Sequence, residues 1–249
     1  AQADQFKADT LVKQEVSPLD IGDDRGIYIL TKDGRMQLRI LGSVRFSILY
    51  DFIDFATKKS FNTYYIPTGV DNVIIPNFYS SLDQSRLGFE VNRKLVNKNV
   101  FIRLETDFNG KDGTFRIRHA YGQIGRFLVG QTWSLFSNVS SLPATVDGNG
   151  PTGSVTLRTA QARYSGTNRK GTHWAAAIEY SRPDLNTQEF DTTGLSVVQV
   201  IPDFTARIER RNFWGRTAIR SNYDTFDRRS DNKVTNSFGW GAQLSGTID

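Results

Sequence analysis

Apolar and polar residues alternate regularly between Met36 and Phe52, over about sixteen residues. The apolar set comprises Leu38, Ile40, Val44, Phe46, Ile48, Tyr50 and Phe52. The polar set comprises Gln37, Arg39, Ser43, Arg45, Ser47 and Asp51. Because successive side chains of a strand point to opposite faces, this period predicts a β-strand with one apolar and one polar face. Such a strand would be longer than the roughly 5–6 residues of a usual globular strand.

The same alternation recurs along the chain in about ten segments. They lie near 36–52, 79–92, 99–108, 114–124, 126–133, 155–164, 172–181, 203–211, 213–222 and 236–248. A small hairpin is also predicted at 27–40, with an Asp-Gly turn. Among the connections, 53–78, 134–154, 183–202 and 223–235 are long, whereas 93–98, 124–125, 165–171 and 211–212 are short. Short turns at one rim and long loops at the other are typical of outer-membrane barrels.

A soluble β-sandwich also alternates apolar and polar residues, so the period alone leaves two fold classes open. Three features favour a membrane. The segments reach the ~9–11 residues of a tilted transmembrane strand, aromatic residues lie at the ends of the apolar faces, and loop lengths alternate. The chain has 249 residues, no cysteine and no apolar run of about 18 residues that would form a transmembrane helix. We therefore predict an all-β fold, an antiparallel transmembrane β-barrel.

Arginines on the polar faces indicate which side of the sheet meets lipid. Each would cost about 2–4 kcal/mol if it faced lipid near the bilayer midplane, so the polar side is expected to line a water-filled lumen. The predicted pore-lining, anion-binding residues are Arg39, Arg45, Arg86, Arg103, Arg116, Arg118, Arg163 and Arg207. Their expected acidic partners in the pore are Glu90, Glu105 and Asp107.

Two interpretations of these arginines remain open. They either focus a positive field that draws small anions into the pore, or they only pair with carboxylates on neighbouring strands. In the second case the set of carboxylates would include Glu179 and Glu209.

The other candidate sites have simpler explanations. Glu105 and Asp107 are spaced like a carboxylate pair, but arginines flank them and no nucleophile is evident, so no catalytic residue is predicted. The only two histidines, His119 and His173, are too few for a His-rich metal site, and neither a metal nor a cofactor is expected. By parity, His119 is expected on the outward face, with Ile117 and Tyr121, at a subunit interface or an aromatic girdle rather than as a ligand. Asp147 is interpreted as a turn residue rather than a ligand for solute or calcium. Because the basic residues are spread over many strands, no nucleic-acid partner is expected despite a pI of 9.4.

Residues 84–164 carry a series of short motifs. In order they are QSRLGF (84–89), ETDF (105–108), RIRHAYG (116–122), GQTWS (130–134), PATVD (143–147), GP (150–151) and RTAQARY (158–164). This series resembles the DcaP-like porins of bacterial outer membranes. The match is specific over these residues, whereas the rest of the chain resembles the family mainly in its general sequence character.

The resemblance implies a homotrimeric porin in outer-membrane lipid, with one pore per protomer for the passive diffusion of small, preferentially anionic solutes such as dicarboxylates. It implies a barrel of about sixteen strands, with 134–154 folded into the pore as a constriction. Residues 1–25 are expected to form a flexible or helical periplasmic segment, and 26–249 the barrel. Because only about ten strands are counted and Asp249 is not a terminal aromatic, we expect the C-terminal strands to be missing from this sequence. The alternatives are a non-transporting outer-membrane or adhesin-type β protein, or a barrel enzyme such as a lipase or protease.

Overall fold

The computed structural model describes residues 26–52, 76–96, 98–143, 154–168, 171–181, 196–199, 201–212, 215–230 and 233–248. The strands among them are β1 (Ile27–Leu30), β2 (Met36–Ser43), β3 (Ser47–Asp51), β4 (Asn77–Ser81), β5 (Arg86–Lys94), β6 (Asn99–Asp107), β7 (Arg116–Ile124), β8 (Phe127–Trp133), β9 (Arg158–Thr167), β10 (Thr172–Tyr180), β11 (Ser196–Val198), β12 (Asp203–Asn212), β13 (Gly215–Ser230) and β14 (Lys233–Ile248). Short 3-10 turns lie at Lys111–Gly113 and Val139–Ser141. Within these ranges no helix has the length and apolar character needed to cross a membrane.

Twelve of these strands form one antiparallel sheet, in which each strand pairs mainly with its neighbours along the chain. The order is β1-β2-β5-β6-β7-β8-β9-β10-β12-β13, with β14 beside β13 and β11 on the edge of β13 that β12 also occupies. β3 and β4 pair separately as a two-stranded sheet. The prediction of an all-β, antiparallel fold is confirmed. β1 and β14 do not pair with each other among the described residues, so a closed barrel and a total of sixteen strands stay predictions.

Several predicted boundaries differ from the observed ones. The segments predicted at 36–52 and 79–92 are each divided in two, because the Ser85 hydroxyl occupies the gap between the halves. It accepts a hydrogen bond from the Arg45 backbone N–H at 3.1 Å and donates one to the Arg45 carbonyl. The long loop predicted at 223–235 is wrong, since β13 continues to Ser230 and β14 begins at Lys233. The short strand β11 was not predicted, whereas the hairpin of β1 and β2 is confirmed.

The two faces of the sheet differ as the alternation predicted. One face exposes large apolar side chains along the strands, among them Phe89, Leu104, Ile117, Val129, Ile178, Phe204, Ile208, Phe238, Trp240 and Leu244. The opposite face buries polar and charged side chains, among them Gln37, Arg39, Glu90, Glu105, Arg118, Gln161, Arg163, Glu179 and Thr205. We call these the outer and the inner face. An exposed apolar surface spanning so many strands exceeds what a soluble monomer shows, so it is a surface for lipid or for neighbouring subunits.

A β-bulge in β7 corrects one prediction based on parity. Glu105 pairs with His119 and Thr106 with Ile117, so Arg118 is the extra residue on the β7 side. An extra residue reverses the facing of every side chain beyond it. His119 and Tyr121 therefore point inward and are buried, whereas parity had placed both on the outer face with Ile117. The expectation of an outward His119, at a girdle or a subunit interface, is wrong.

Candidate functional site

Charged side chains on the inner face of β2, β5, β6 and β7 form a continuous network of ion pairs, which we call the arginine ladder. It consists of Arg39, Arg86, Arg103, Arg116 and Arg118 with Glu90, Glu105 and Asp107. At one end, Glu90 lies between Arg39 at 3.0 Å and Arg103 at 3.1 Å. The structure thus brings five of the eight predicted arginines together with all three predicted acidic partners.

Glu105 lies at the centre of the ladder. Its carboxylate oxygens are 2.6 Å from the Arg103 Nη2 and 2.9 Å from the Arg118 Nε, and Arg86 lies at 3.8 Å. The Glu105 side chain is fully buried by these cations. Three guanidinium groups around one carboxylate stabilise its charge in a site that water does not reach.

Asp107 ends the ladder at the rim of β6. The Arg116 side chain donates two hydrogen bonds to it, from Nε at 3.0 Å and from Nη2 at 2.6 Å, and Arg118 adds a contact of 3.3 Å. This two-pronged geometry is the pairing that a guanidinium fork favours. The Arg116 side chain nevertheless stays 40% exposed, whereas Asp107 is 3% exposed. Arg116 is therefore the one ladder side chain with substantial exposure, whereas the other four arginines and the three carboxylates are largely buried.

The other three predicted arginines lie outside this ladder. Arg163 on β9 is buried and donates to the Gln161 side chain at 2.8 Å and to the Trp133 carbonyl. Arg207 on β12 lies 4.0 Å from Glu209. Arg45 lies in the break between β2 and β3 and is half-buried. The predicted role of all eight arginines in anion binding stays a prediction.

An aromatic group near the end of β8 was not predicted from the sequence. The centres of the His119 and Trp133 rings are 5.8 Å apart, and the two rings are arranged edge to face. The Arg158 guanidinium lies over the Trp133 ring, 4.5 Å from its centre. His119 Nδ1 also shares a hydrogen bond of 3.0 Å with the Thr132 hydroxyl. Because the β7 bulge turns His119 inward, sequence parity concealed this group.

Residues 134–143, between β8 and β9, cross the inner face of the sheet; we call them the inner loop. Leu135 is fully buried against Ala175 and Ala177 of β10. The Phe136 ring lies on Gly241 of β14, where an added Cβ would be 3.0 Å from the ring. Small wall residues thus make room for the large side chains of the loop. These contacts place residues 134–143 against the inner face of the sheet, and the role of 134–154 as a constriction stays a prediction. Residues 144–153, including Asp147, lie outside the described residues.

Glu179 of β10 holds the inner loop by a hydrogen bond. Its Oε1 accepts the Leu135 backbone N–H at 2.9 Å and the Thr205 hydroxyl at 2.8 Å. Its Oε2 accepts the Thr159 hydroxyl at 3.2 Å. The side chain is buried, and all three of these donors are neutral. Glu179 was expected to pair with an arginine if the arginines only pair with carboxylates. Among the described residues it forms no such ion pair.

An antiparallel sheet with an apolar outer face, a charged inner face and a loop across that inner face has the construction of an outer-membrane β-sheet wall. The chain belongs to the DcaP outer membrane protein family, whose model matches residues 28–216. It is therefore a protein of the bacterial outer membrane. The family is described as an outer membrane protein and not as an enzyme.

Among solved structures, the chain is similar to the outer membrane channel DcaP of Acinetobacter baumannii, with a TM-score of 0.75 and 22% sequence identity. The match covers 89% of this chain and 62% of that one, so the chain spans less than two thirds of the channel's length. At this identity the likeness shows a shared fold. No curated protein sequence matches the chain.

Proposed function

We propose that this chain forms part of the wall of a passive diffusion channel that prefers small anionic solutes. The observation that carries the proposal is the composition of the arginine ladder. Its five guanidinium groups and three carboxylates leave an excess of two positive charges on one stretch of the inner face. A positive wall bounded by low-dielectric surroundings concentrates anions in the water beside it.

Exposure within the ladder supports the same preference. The carboxylates are at most 9% exposed, whereas the Arg116 side chain reaches 40%. A solute passing the inner face at this end of the ladder would therefore meet the Arg116 guanidinium before any ladder carboxylate. Forked donors suit planar carboxylate groups in particular, which favours dicarboxylates as the solute class.

The inner loop would act as the constriction of this channel. It carries no charged residue from Ser134 to Pro143 and lies on the part of the sheet formed by β10 and β14. Its uncharged surface would narrow the pore and leave the ladder as the main source of charge selectivity. We also propose a homotrimer, which is what the resemblance to the DcaP-like porins implies; the apolar outer face offers a surface for lipid or for neighbouring subunits and does not itself set their number. Native mass spectrometry of the full-length protein in mild detergent should then show three copies.

Liposome swelling tests the solute preference directly. Vesicles containing the full-length protein should swell faster in a four-carbon dicarboxylate than in a diamine of the same length, with a neutral diol between them. Equal rates for the three solutes would contradict the charge preference. No swelling above that of empty vesicles would contradict the channel itself and favour a non-transporting barrel.

A further inference from the structure

Glu179 is a buried carboxyl group whose hydrogen-bond donors are all neutral. A buried carboxylate is costly unless charges or several hydrogen bonds compensate it. The ladder carboxylates have arginine partners, whereas the donors to Glu179 are two hydroxyls and one backbone N–H. The N–H comes from Leu135, 44 residues earlier in the chain and outside the strands.

The Leu135 N–H needs a partner where it lies. Leu135 is fully buried against the sheet, and a buried backbone N–H without an acceptor is unfavourable. Glu179 supplies this acceptor through one of its carboxyl oxygens. The apolar contacts of Leu135 with Ala175 and Ala177 favour burial but have no direction. The hydrogen bond is therefore the directional contact that ties the start of the inner loop to β10, while Ser134 and Ser137 bond to the Leu157 backbone.

The hydroxyls of Thr159 and Thr205 fix the carboxylate in turn. They lie on β9 and β12, the two strands that flank β10, and they donate to different oxygens of Glu179. Both flanking strands thus orient the carboxyl group that accepts the hydrogen bond from the inner loop. The three contacts together join the inner loop to three adjacent strands.

We propose that Glu179 is the positioning residue of the inner loop: its carboxylate latches the loop to the wall and so sets the width of the constriction. This inference rests on the proposed function only for its effect on conductance. The latch itself is a property of the fold and is tested separately.

The chain has no cysteine, so a single introduced thiol reports on the loop. In Leu135→Cys the thiol should be buried and react slowly with a water-soluble maleimide in folded, detergent-solubilised protein. Adding Glu179→Ala should raise the labelling rate on the order of tenfold, since the latch contributes a hydrogen bond worth about one factor of ten in an opening equilibrium. Glu179→Gln retains an acceptor oxygen and should restore protection.

The matched control is Glu209→Ala. Glu209 is another buried carboxylate of the inner face, on β12, but it pairs in register with His173, six positions along β10 from Glu179. That separation is about 20 Å. Its removal should leave the labelling of Cys at position 135 unchanged. If Glu179→Ala does not give a heat-modifiable band on SDS gels, Glu179→Asp replaces it, because the shorter side chain keeps the charge but withdraws from the Leu135 N–H.

Labelling that stays slow in folded Glu179→Ala, or in Glu179→Asp where that variant replaces it, would overturn the latch, as would a thiol that is already reactive in the Leu135→Cys protein. In planar bilayers, Glu179→Ala should also raise the single-channel conductance, while Glu209→Ala should not. If labelling responds to Glu179 but no variant conducts, the latch stands and the proposed channel function fails. If the channel conducts but labelling ignores Glu179, the latch fails and the channel function stands.

Discussion

Arg116 and Arg118 are two positions apart on β7 and have different surroundings. Arg118 is almost fully buried and joins Glu105 to Asp107, whereas Arg116 pairs with Asp107 alone and remains 40% exposed. The first is therefore a structural cation within a buried network. The second is the most exposed ladder residue, and in the proposed channel it is the one that a solute would meet most readily.

Replacing Arg118 by alanine should lower stability. Glu105 and Asp107 would keep their other arginine partners but lose one charged hydrogen-bond donor each, a loss of about 1–3 kcal/mol in the free energy of unfolding. Urea unfolding of the protein in lipid vesicles measures this value. Unchanged stability would show that the remaining arginines suffice for both carboxylates.

Replacing Arg116 by alanine should lower the anion preference with a smaller effect on stability. A unit charge about 10 Å from a permeating ion contributes roughly 0.4 kcal/mol in water, which corresponds to about a twofold change in the permeability ratio. The reversal potential in a salt gradient measures that ratio. Arg210→Ala is the matched control, since it removes the same charge from an exposed position outside the ladder. Equal shifts in the two variants would remove Arg116 from the selectivity site.

At the scale of elements, the alternation of the sequence predicted nearly every strand and its two faces. It failed where a local feature changed the period. The bulge at Arg118 adds one residue and turns His119 and Tyr121 inward. The polar stretch at 223–235 suggested a loop, but strands can also pair there through their backbones, which requires no apolar face. Neither feature has a signal in a pattern of apolar and polar residues.

The pairing of β7 with β8 depends on a glycine that has no room for a side chain. Gly130 has a φ of +130°, and an added Cβ would lie 2.2 Å from the Ala120 carbonyl oxygen. Gly130→Ala should therefore lower the free energy of unfolding by about 2–4 kcal/mol. Gly122, on the adjacent β7, serves as the control, because a Cβ added there would have no neighbouring atom within 4 Å. Heat-modifiable migration should be lost at a lower temperature in Gly130→Ala only; a parallel change in Gly122→Ala would contradict the explanation.

In the molecule as a whole, the two faces of the sheet suit different surroundings, one apolar and one polar. The outer face exposes apolar side chains, and the inner face carries arginines, carboxylates and the inner loop. The sequence predicted this division because a lipid-facing arginine is costly. It did not predict which charges pair or that Leu135 reaches Glu179, since those contacts depend on strand register and on residues far apart in the chain.

In the channel that we propose, the arginine ladder makes the lumen selective for anions. The most direct measurement is the reversal potential of the full-length protein in a planar bilayer that separates two concentrations of potassium chloride. We expect a potential whose sign corresponds to chloride as the more permeant ion, and a smaller one in Arg116→Ala. A potential of the opposite sign would contradict the anion selectivity of the ladder.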